Sequence, residues 1–322
     1  MKMLVTGAAG FIGATVARRL LEAGHAVVGL DDLNDYYDVR LKEWRLARLQ
    51  RFDGFTFQRG DVADMAALEP LYRAHRFAVT FNLAARAGVR ASVENPWVYT
   101  DTNVTGTLNL LECCRRHDCP TFVLASTSSL YGTTETPFRL ENRTDEPHSP
   151  YAATKKGAEV MAYTYHFLYG LNVSVCRYFT VFGPAGRPDM SYFKFLLKID
   201  RGEPIPVYGD GSQSRDFTYV DDVAEATIRS ARLSGHHILN VGNDRPVELR
   251  RMIAVLEERM GARAEIEYLP RHPADNPITW ADVTRTRELL DWEAQISLEA
   301  GLDRVVTWFE GNRDWLRTIK LD

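Results

Sequence analysis

Five short apolar runs, separated by stretches of helical periodicity, occupy the first 125 residues. That alternation restricts the fold more than any other feature of the chain. Met3-Leu4-Val5 is followed by Phe11, Ile12, Val16, Leu20 and Leu21, spaced as one face of a helix. Ala26-Val27-Val28-Gly29-Leu30 leads to a helix ending near Gln50, and Phe55-Thr56-Phe57 to one from about Asp64 to His75. Ala78-Val79-Thr80-Phe81 leads to a longer helix, roughly Trp97 to His117, before Thr121-Phe122-Val123-Leu124. Apolar strands alternating with helices predict βαβ units and a parallel sheet buried on both faces. Right-handed crossovers then give the doubly wound α/β arrangement, a Rossmann fold.

The pattern changes after about Phe179. Gly183-Pro184, Gly186, Pro188, Gly202, Pro204, Pro206, Gly209 and Gly211 punctuate it, and shorter segments follow, with helices expected over 221–232, 247–260 and 298–315. This predicts a smaller α/β lobe, with the chain returning to the sheet near Ile238-Leu239-Asn240-Val241. The net charge of −4 offers no electrostatic reason to expect nucleic acid. The basic run from Arg40 to Arg51 is interrupted by Leu41, Trp44, Leu46 and Leu49, and reads as an amphipathic helix with a solvated charged face. The four cysteines, Cys113, Cys114, Cys119 and Cys176, form no C-x-x-C pair and read as free thiols of a reducing compartment. No metal-ligand spacing is present among the histidines. The N-terminus enters a strand at once and no run is long and apolar enough to span a bilayer, so a cytoplasmic protein without a signal peptide is expected.

"TGAAGFIGA" sets Gly7, Gly10 and Gly13 between the first strand and the first helix. A pyrophosphate can approach the backbone only where no Cβ intervenes, and the helix N-terminus supplies free N–H groups. Asp31 closes the next strand, where a carboxylate can hold both ribose hydroxyls of NAD and repel the 2′-phosphate of NADP. Asp61 and Val62 after the third strand, and Leu83, Ala84 and Ala85 after the fourth, are placed to line the same cofactor. Asn103, on the long helix, either joins them or is a buried amide satisfied locally.

"ASTSSLYG", from Ala125 to Gly132, ends a buried strand in a row of hydroxyls. "SPYAATKKGAE" then opens a helix at Ser149-Pro150 and sets Tyr151 and Lys155 four residues apart, on one face. A free phenol titrates near pH 10, too high for a base at neutral pH. An ammonium about 4 Å away, at an effective dielectric near 20, would favour the phenolate by roughly 4 kcal/mol, about three pKa units. Ligands of parallel sheets bind at the carboxyl ends of the strands. The hydroxyls at Ser126 to Ser129 are therefore aimed at a substrate beside the nicotinamide.

Taken together, TGAAGFIG, Asp31, NLAA, ASTSSLYG, YAATK, RYFTVFGP, GDGSQSRDFTYVDD and ADNPITWAD resemble the extended short-chain dehydrogenase/reductase, or NAD-dependent epimerase/dehydratase, family over essentially the whole chain. The resemblance implies Thr127, Tyr151 and Lys155 as the catalytic residues, and Phe11, Ile12, Asn34, Ser126 and Tyr178 as further contacts to NAD. It implies an NAD-binding domain over 1–180, with a return near 215–245, and a mainly nucleotide-sugar-binding lobe over 181–322. Dehydratases and nucleotide-sugar decarboxylases of the family place an acid directly after the hydroxyl residue, whereas Thr127 is followed by Ser128 and Ser129. That leaves epimerisation, and "LNDYYDVRLKE", "NLAARAGVR" and "RYFTVFGPAGRPDM" are most similar to the UDP-glucuronate 4-epimerase branch.

The implied activity interconverts UDP-glucuronate and UDP-galacturonate through a 4-keto sugar, with NAD retained. Such a ketone is a β-keto acid and can lose CO₂. Thr127, Ser128, Ser129 and Thr180, with Arg187, are the groups expected to hold its carboxylate. Arg86 and Arg90 are candidates for phosphate or carboxylate, Arg215 for the diphosphate, Val207-Tyr208 for uracil and Asp275 for the uridine ribose. The family pattern P-G-D-V-P is here Pro273-Ala274-Asp275-Asn276-Pro277, and an alanine in place of glycine restricts that loop. A homodimer is implied, through the helices at 97–117 and 151–170. Other readings are a UDP-hexose or UDP-N-acetylhexosamine 4-epimerase, a UDP-glucuronate decarboxylase, and a non-catalytic NAD-binding regulator.

Overall fold

Seven parallel strands form the spine of the computed structural model, which describes residues 1–270 and 276–321. The first half alternates as β1 (Lys2–Thr6), α1 (Phe11–Glu22), β2 (Ala26–Asp31), α2 (Arg40–Leu49), β3 (Phe55–Arg59), α3 (Met65–Ala74) and β4 (Val79–Asn82). It continues with α4 (Val89–Glu94), α5 (Pro96–Tyr99), α6 (Gly106–Arg116), β5 (Thr121–Thr127), α7 (Pro150–Tyr169) and β6 (Asn172–Tyr178). The second half holds β7 (Thr180–Phe182), α8 (Ser191–Arg201), β8 (Ile205–Tyr208), β9 (Ser214–Tyr219), α9 (Val220–Ser230), β10 (His236–Val241), β11 (Pro246–Glu248), α10 (Leu249–Met260) and β12 (Ile266–Leu269). It ends in α11 (Thr284–Leu290), α12 (Leu298–Glu310) and α13 (Arg313–Leu316).

The sheet order is β10-β6-β5-β4-β1-β2-β3, the Rossmann arrangement expected from the alternation. The order reverses between β1 and β4, so a crevice opens at their carboxyl ends. One face packs Met3, Val5 and Val27 against α1 and α9, and the other packs Leu4, Val28 and Phe122 against α3, α6 and α7. The return strand forms as read: His236 to Val241 pairs in parallel with Val173 to Tyr178. The C-terminal lobe holds the small sheets β11-β9-β7 and β12-β8 around a core that includes Phe193, Leu196, Met252 and Leu302.

The helix read over 97–117 is interrupted. Thr100–Thr105 forms a π-turn between α5 and α6, a widening that turns Asn103 inward. The segment over 247–260 begins as strand, with Val247 paired to Arg215, and becomes helix at Leu249. The last segment is two helices, α12 and α13, joined at Gly311-Asn312. The basic run departs most. Leu41, Lys42, Arg45, Leu46 and Leu49 are all buried, so two of its cations lie on the apolar face rather than in solvent. All four cysteines are buried free thiols. Among the described residues no helix is long and apolar enough to cross a membrane.

Candidate active site

At the carboxyl ends of the central strands lies a cleft of about 490 Å³, lined by both lobes. Its inner end is the glycine loop. Gly7 takes φ +66°, and a Cβ there would stand 2.8 Å from the Ala84 nitrogen and the Leu83 carbonyl. A Cβ on Gly13 would lie 2.0 Å from the Gly7 oxygen. Gly10 starts α1 without a side-chain cap, leaving the first-turn N–H groups facing the cleft. A cradle closed to any Cβ, with a helix N-terminus open to an anion, fits a dinucleotide pyrophosphate. Phe11, Ile12, Asn34, Asp61, Val62, Leu83, Ala84 and Ala85 line the same stretch.

Asp31 sits beside the loop. Its Oδ2 accepts the Ala9 N–H at 3.0 Å and its Oδ1 the Leu33 N–H at 2.9 Å. Lys42 Nζ lies 3.9 Å from Oδ1. Burial raises the Asp31 carboxyl, and the lysine and the two N–H groups pull against that rise. Thr6 ties the next strand end in place, donating to Asn82 Oδ1 at 3.0 Å and accepting from Ala84 N at 3.1 Å.

The hydroxyl row is delivered by β5, which runs buried through Thr127 rather than stopping at Leu124. Thr127 Oγ1 accepts the Ser129 N–H at 3.1 Å and donates to Ser129 Oγ at 3.1 Å. Ser149 caps α7 by accepting from Ala152 N at 3.2 Å, and Pro150 occupies the first turn. This places Tyr151 and Lys155 on the cleft with Thr127, Ser128, Ser129 and Thr180. Burial raises the Tyr151 phenol above its usual value, while the Thr127 hydroxyl and then Arg187 draw it down. Helical spacing alone predicts that Lys155 acidifies the phenol, but it is not among these influences. Burial lowers its own ammonium to about 8, only partly opposed by Glu159 one turn on.

Behind the row lies a buried network. Ser126 Oγ donates to Glu159 Oε1 at 2.6 Å, and Arg177 clasps Glu159 through Nε at 2.9 Å and Nη2 at 2.7 Å. Arg177 Nη1 also donates to the Tyr131 hydroxyl at 2.9 Å, which donates to Asn240 Oδ1 at 2.7 Å. Ser126 thus lines the cleft with its hydroxyl committed to Glu159. Tyr178 does likewise, its hydroxyl tied to Thr227 Oγ1 at 2.8 Å.

Arg86, Arg187 and Arg215 reach the cleft. Arg187 Nε donates to Asp189 Oδ1 at 3.0 Å and its Nη2 to Asp189 Oδ2, so two of its three nitrogens are committed to that carboxylate. Arg215 Nη1 donates to the Ser214 carbonyl at 2.9 Å. Its neighbour Asp216 accepts from the backbone of Asn243, Asp244 and Ala281 instead.

Four sequence-predicted residues are not on the cleft surface. Asn103 is buried, accepting the Arg86 N–H at 2.9 Å and donating to the Arg86 carbonyl and Thr154 Oγ1, each at 3.0 Å. It is the locally satisfied amide, bracing the Arg86 backbone. Val207 belongs to the core of the second lobe. The Arg90 guanidinium stacks 3.9 Å from the centroid of Tyr208, joining the two lobes. Asp275 lies outside the described residues.

Sequence reasoning missed Asp32, Tyr36, Tyr37, Lys42, His148, Asp189 and Thr279, all of which line the cleft. For Lys42 a signal existed. Residues 42, 45 and 49 are spaced as one helical face, and Leu49 makes that face apolar.

A family model described as GDP-mannose 4,6 dehydratase matches residues 4–305. A UDP-glucuronate 4-epimerase of Thermodesulfobacterium geofontis is 51% identical over 319 residues, covering 99% of each chain. The crystal structure of UDP-glucuronic acid 4-epimerase from Bacillus cereus, in complex with UDP-glucuronic acid and NAD, superposes with a TM-score of 0.92 at 32% identity, covering 97% of this chain and 100% of that one. A UDP-glucose 4-epimerase of Thermotoga maritima with UDP-glucose gives 0.90 at 32% identity, over 98% and 100%.

Proposed function

The chain belongs to the NAD-dependent epimerase/dehydratase family, the extended short-chain dehydrogenase/reductases, and from that premise we propose that it interconverts UDP-glucuronate and UDP-galacturonate. It is an NAD-dependent nucleotide-sugar 4-epimerase. The observation that carries the choice of a uronate is the set of polar groups that share the cleft with Tyr151. Ser128, Ser129 and Thr180 offer hydroxyls there and Arg187 its Nη1, and no carboxylic acid follows Thr127 to protonate a leaving group.

Gly7, Gly10 and Gly13 hold the pyrophosphate, and Asp31 the adenosine ribose. Bound NAD supplies a hydride acceptor that takes hydrogen from C4 of the sugar and returns it. Tyr151 Oη takes the proton from the C4 hydroxyl, with Thr127 Oγ1 hydrogen-bonded to the phenolate as charge develops. Arg187 favours that charge, and Lys155, which lines the same cleft, belongs to the catalytic set that the family resemblance implies. The flat 4-keto sugar turns in the cleft, and Tyr151 Oη returns the proton on the other face. Throughout, Arg187 Nη1 and the hydroxyls of Ser128, Ser129 and Thr180 grip the carboxylate. They keep the C5–C6 bond out of line with the ketone π system, so CO₂ is retained. Arg215 faces the diphosphate, for which its planar donor fork is suited.

Proton NMR of UDP-glucuronate incubated with the purified protein tests the reading. Galacturonate signals should grow without added NAD, and their absence overturns it. Arg187→Ala should reduce turnover of UDP-glucuronate far more than that of UDP-glucose; equal losses remove Arg187 from the carboxylate.

We also propose that the chain assembles as a homodimer. Tyr163, Phe167, Leu168 and Tyr169 of α7 and Trp97 of α5 are all at least half exposed. Burying them against a second copy of the chain completes a homodimer, and light scattering of Phe167→Glu should then report a monomer.

A further inference from the structure

We propose that Arg45 is a positioning residue that fastens the substrate-carboxylate loop to the dinucleotide loop, and thereby sets how often the 4-keto intermediate loses CO₂. This rests on the uronate reading above. Arg45 is buried on α2, behind the cleft rather than on it. Its Nε donates to the Ala185 carbonyl and its Nη2 to the Gly186 carbonyl, each at 2.9 Å. Its Nη1 donates to the Ala9 carbonyl at 2.9 Å and to the Tyr37 hydroxyl at 2.8 Å. Ala9 is the residue whose N–H holds Asp31. One side chain therefore grips both loops, at the residues next to the groups each loop presents.

The bonds fall where the backbone needs them. Ala185 takes φ +52°, a left-handed conformation that an L-residue with a Cβ adopts only when its surroundings enforce it. Tyr192 donates to the Gly183 carbonyl at 3.0 Å on the same stretch. Arg187 follows directly, so the path of 183–186 decides where its guanidinium enters the cleft. Among the described residues no carboxylate lies within ion-pair distance of Arg45; its acceptors are all neutral oxygens. A buried cation without a countercharge is costly, and an apolar side chain would fill the same helix face more cheaply. The four-point geometry is what arginine adds there, and lysine, a point donor, cannot reproduce it.

If the Arg187 loop loosens, the carboxylate rotates toward alignment with the ketone. The C5–C6 bond then breaks, its electron pair passes into the C4 carbonyl as an enolate, CO₂ leaves, and C5 takes a proton. The product is a UDP-4-keto-pentose, with the hydride from C4 left on the nicotinamide.

The test compares wild type, Arg45→Lys and Arg45→Met as purified with their cofactor, using UDP-[6-¹⁴C]glucuronate. The readout is ¹⁴CO₂ released per molecule of epimer formed, with the thermal midpoint recorded beside it. Both variants should raise that ratio at least tenfold. A purely structural loss lowers both products together and leaves their ratio unchanged, so an unchanged ratio in variants that bind NAD overturns the proposal. If Arg45→Met does not fold, Arg45→Lys decides. Wild type that forms no epimer at all would refute the uronate reading instead, so the two failures are distinguishable.

Discussion

Replacing Lys155 with methionine should weaken catalysis and strengthen the fold at once. The side chain is 3% exposed, and burial lowers its ammonium from 10.5 to about 8. A shift of about 2.5 units at about 1.36 kcal/mol each is a penalty of roughly 3 kcal/mol for holding the charge in the folded protein. The sign follows from the order of the two values. Below pH 8 the lysine is protonated folded and unfolded, and the full penalty applies. Between pH 8 and 10.5 the folded state loses its proton first and the penalty fades. Wild-type protein freed of dinucleotide should therefore be about 2–3 kcal/mol less stable than Lys155→Met at pH 7, and nearly level with it by pH 10.5. Urea midpoints of both proteins at pH 7, 8.5 and 10 measure this, and the other alkaline titrations cancel in the difference. Turnover of the variant should also fall, because Lys155 lines the cleft as part of the implied catalytic set. A difference independent of pH, or a variant less stable than wild type at pH 7, would refute the idea that this lysine is held charged at the expense of the fold.

Three further outcomes follow from the same geometry. Tyr151→Phe should lower kcat by roughly 10²–10⁴ while the purified protein keeps its dinucleotide absorbance, since only the proton acceptor is gone. Gly13→Ala puts a methyl 2.0 Å from the Gly7 oxygen and should yield protein that no longer copurifies with NAD, as quantified after acid release. Glu159→Gln leaves Arg177 buried without its countercharge and should cost about 3–5 kcal/mol in a urea titration.

The parts of this molecule legible in the sequence are those where local chemistry and tertiary role coincide. Gly7 and Gly13 are required by a turn that any reader of strand-loop-helix patterns expects. Tyr151 and Lys155 are set by helical spacing alone, and β10 announced its return to the sheet by its apolar run. What was not legible depends on which neighbours a segment meets. Arg40 to Arg51 alternates cations with apolar residues, so charge alone pointed to solvent; Lys42 and Arg45 turn inward because Asp31 and the carbonyls of Ala9, Ala185 and Gly186 wait there, from segments up to 141 residues away. Thr100–Thr105 reads as ordinary helix because nothing local distinguishes a π-turn; the buried bonds of Asn103 to Arg86 and Thr154 accompany it. Spacing alone gives Tyr151 its acidity from Lys155, whereas burial, invisible in a sequence, moves both groups, and Thr127 and Arg187 are the groups that draw the phenol down.

The most direct test of the central claim follows the hydrogen at C4. UDP-[4-²H]glucuronate incubated in ordinary water without added NAD should give UDP-galacturonate that keeps its deuterium at C4, because the same hydride leaves and returns within one active site. Loss of the label to water, or a product that forms only when NAD is supplied in stoichiometric amount, would contradict the account.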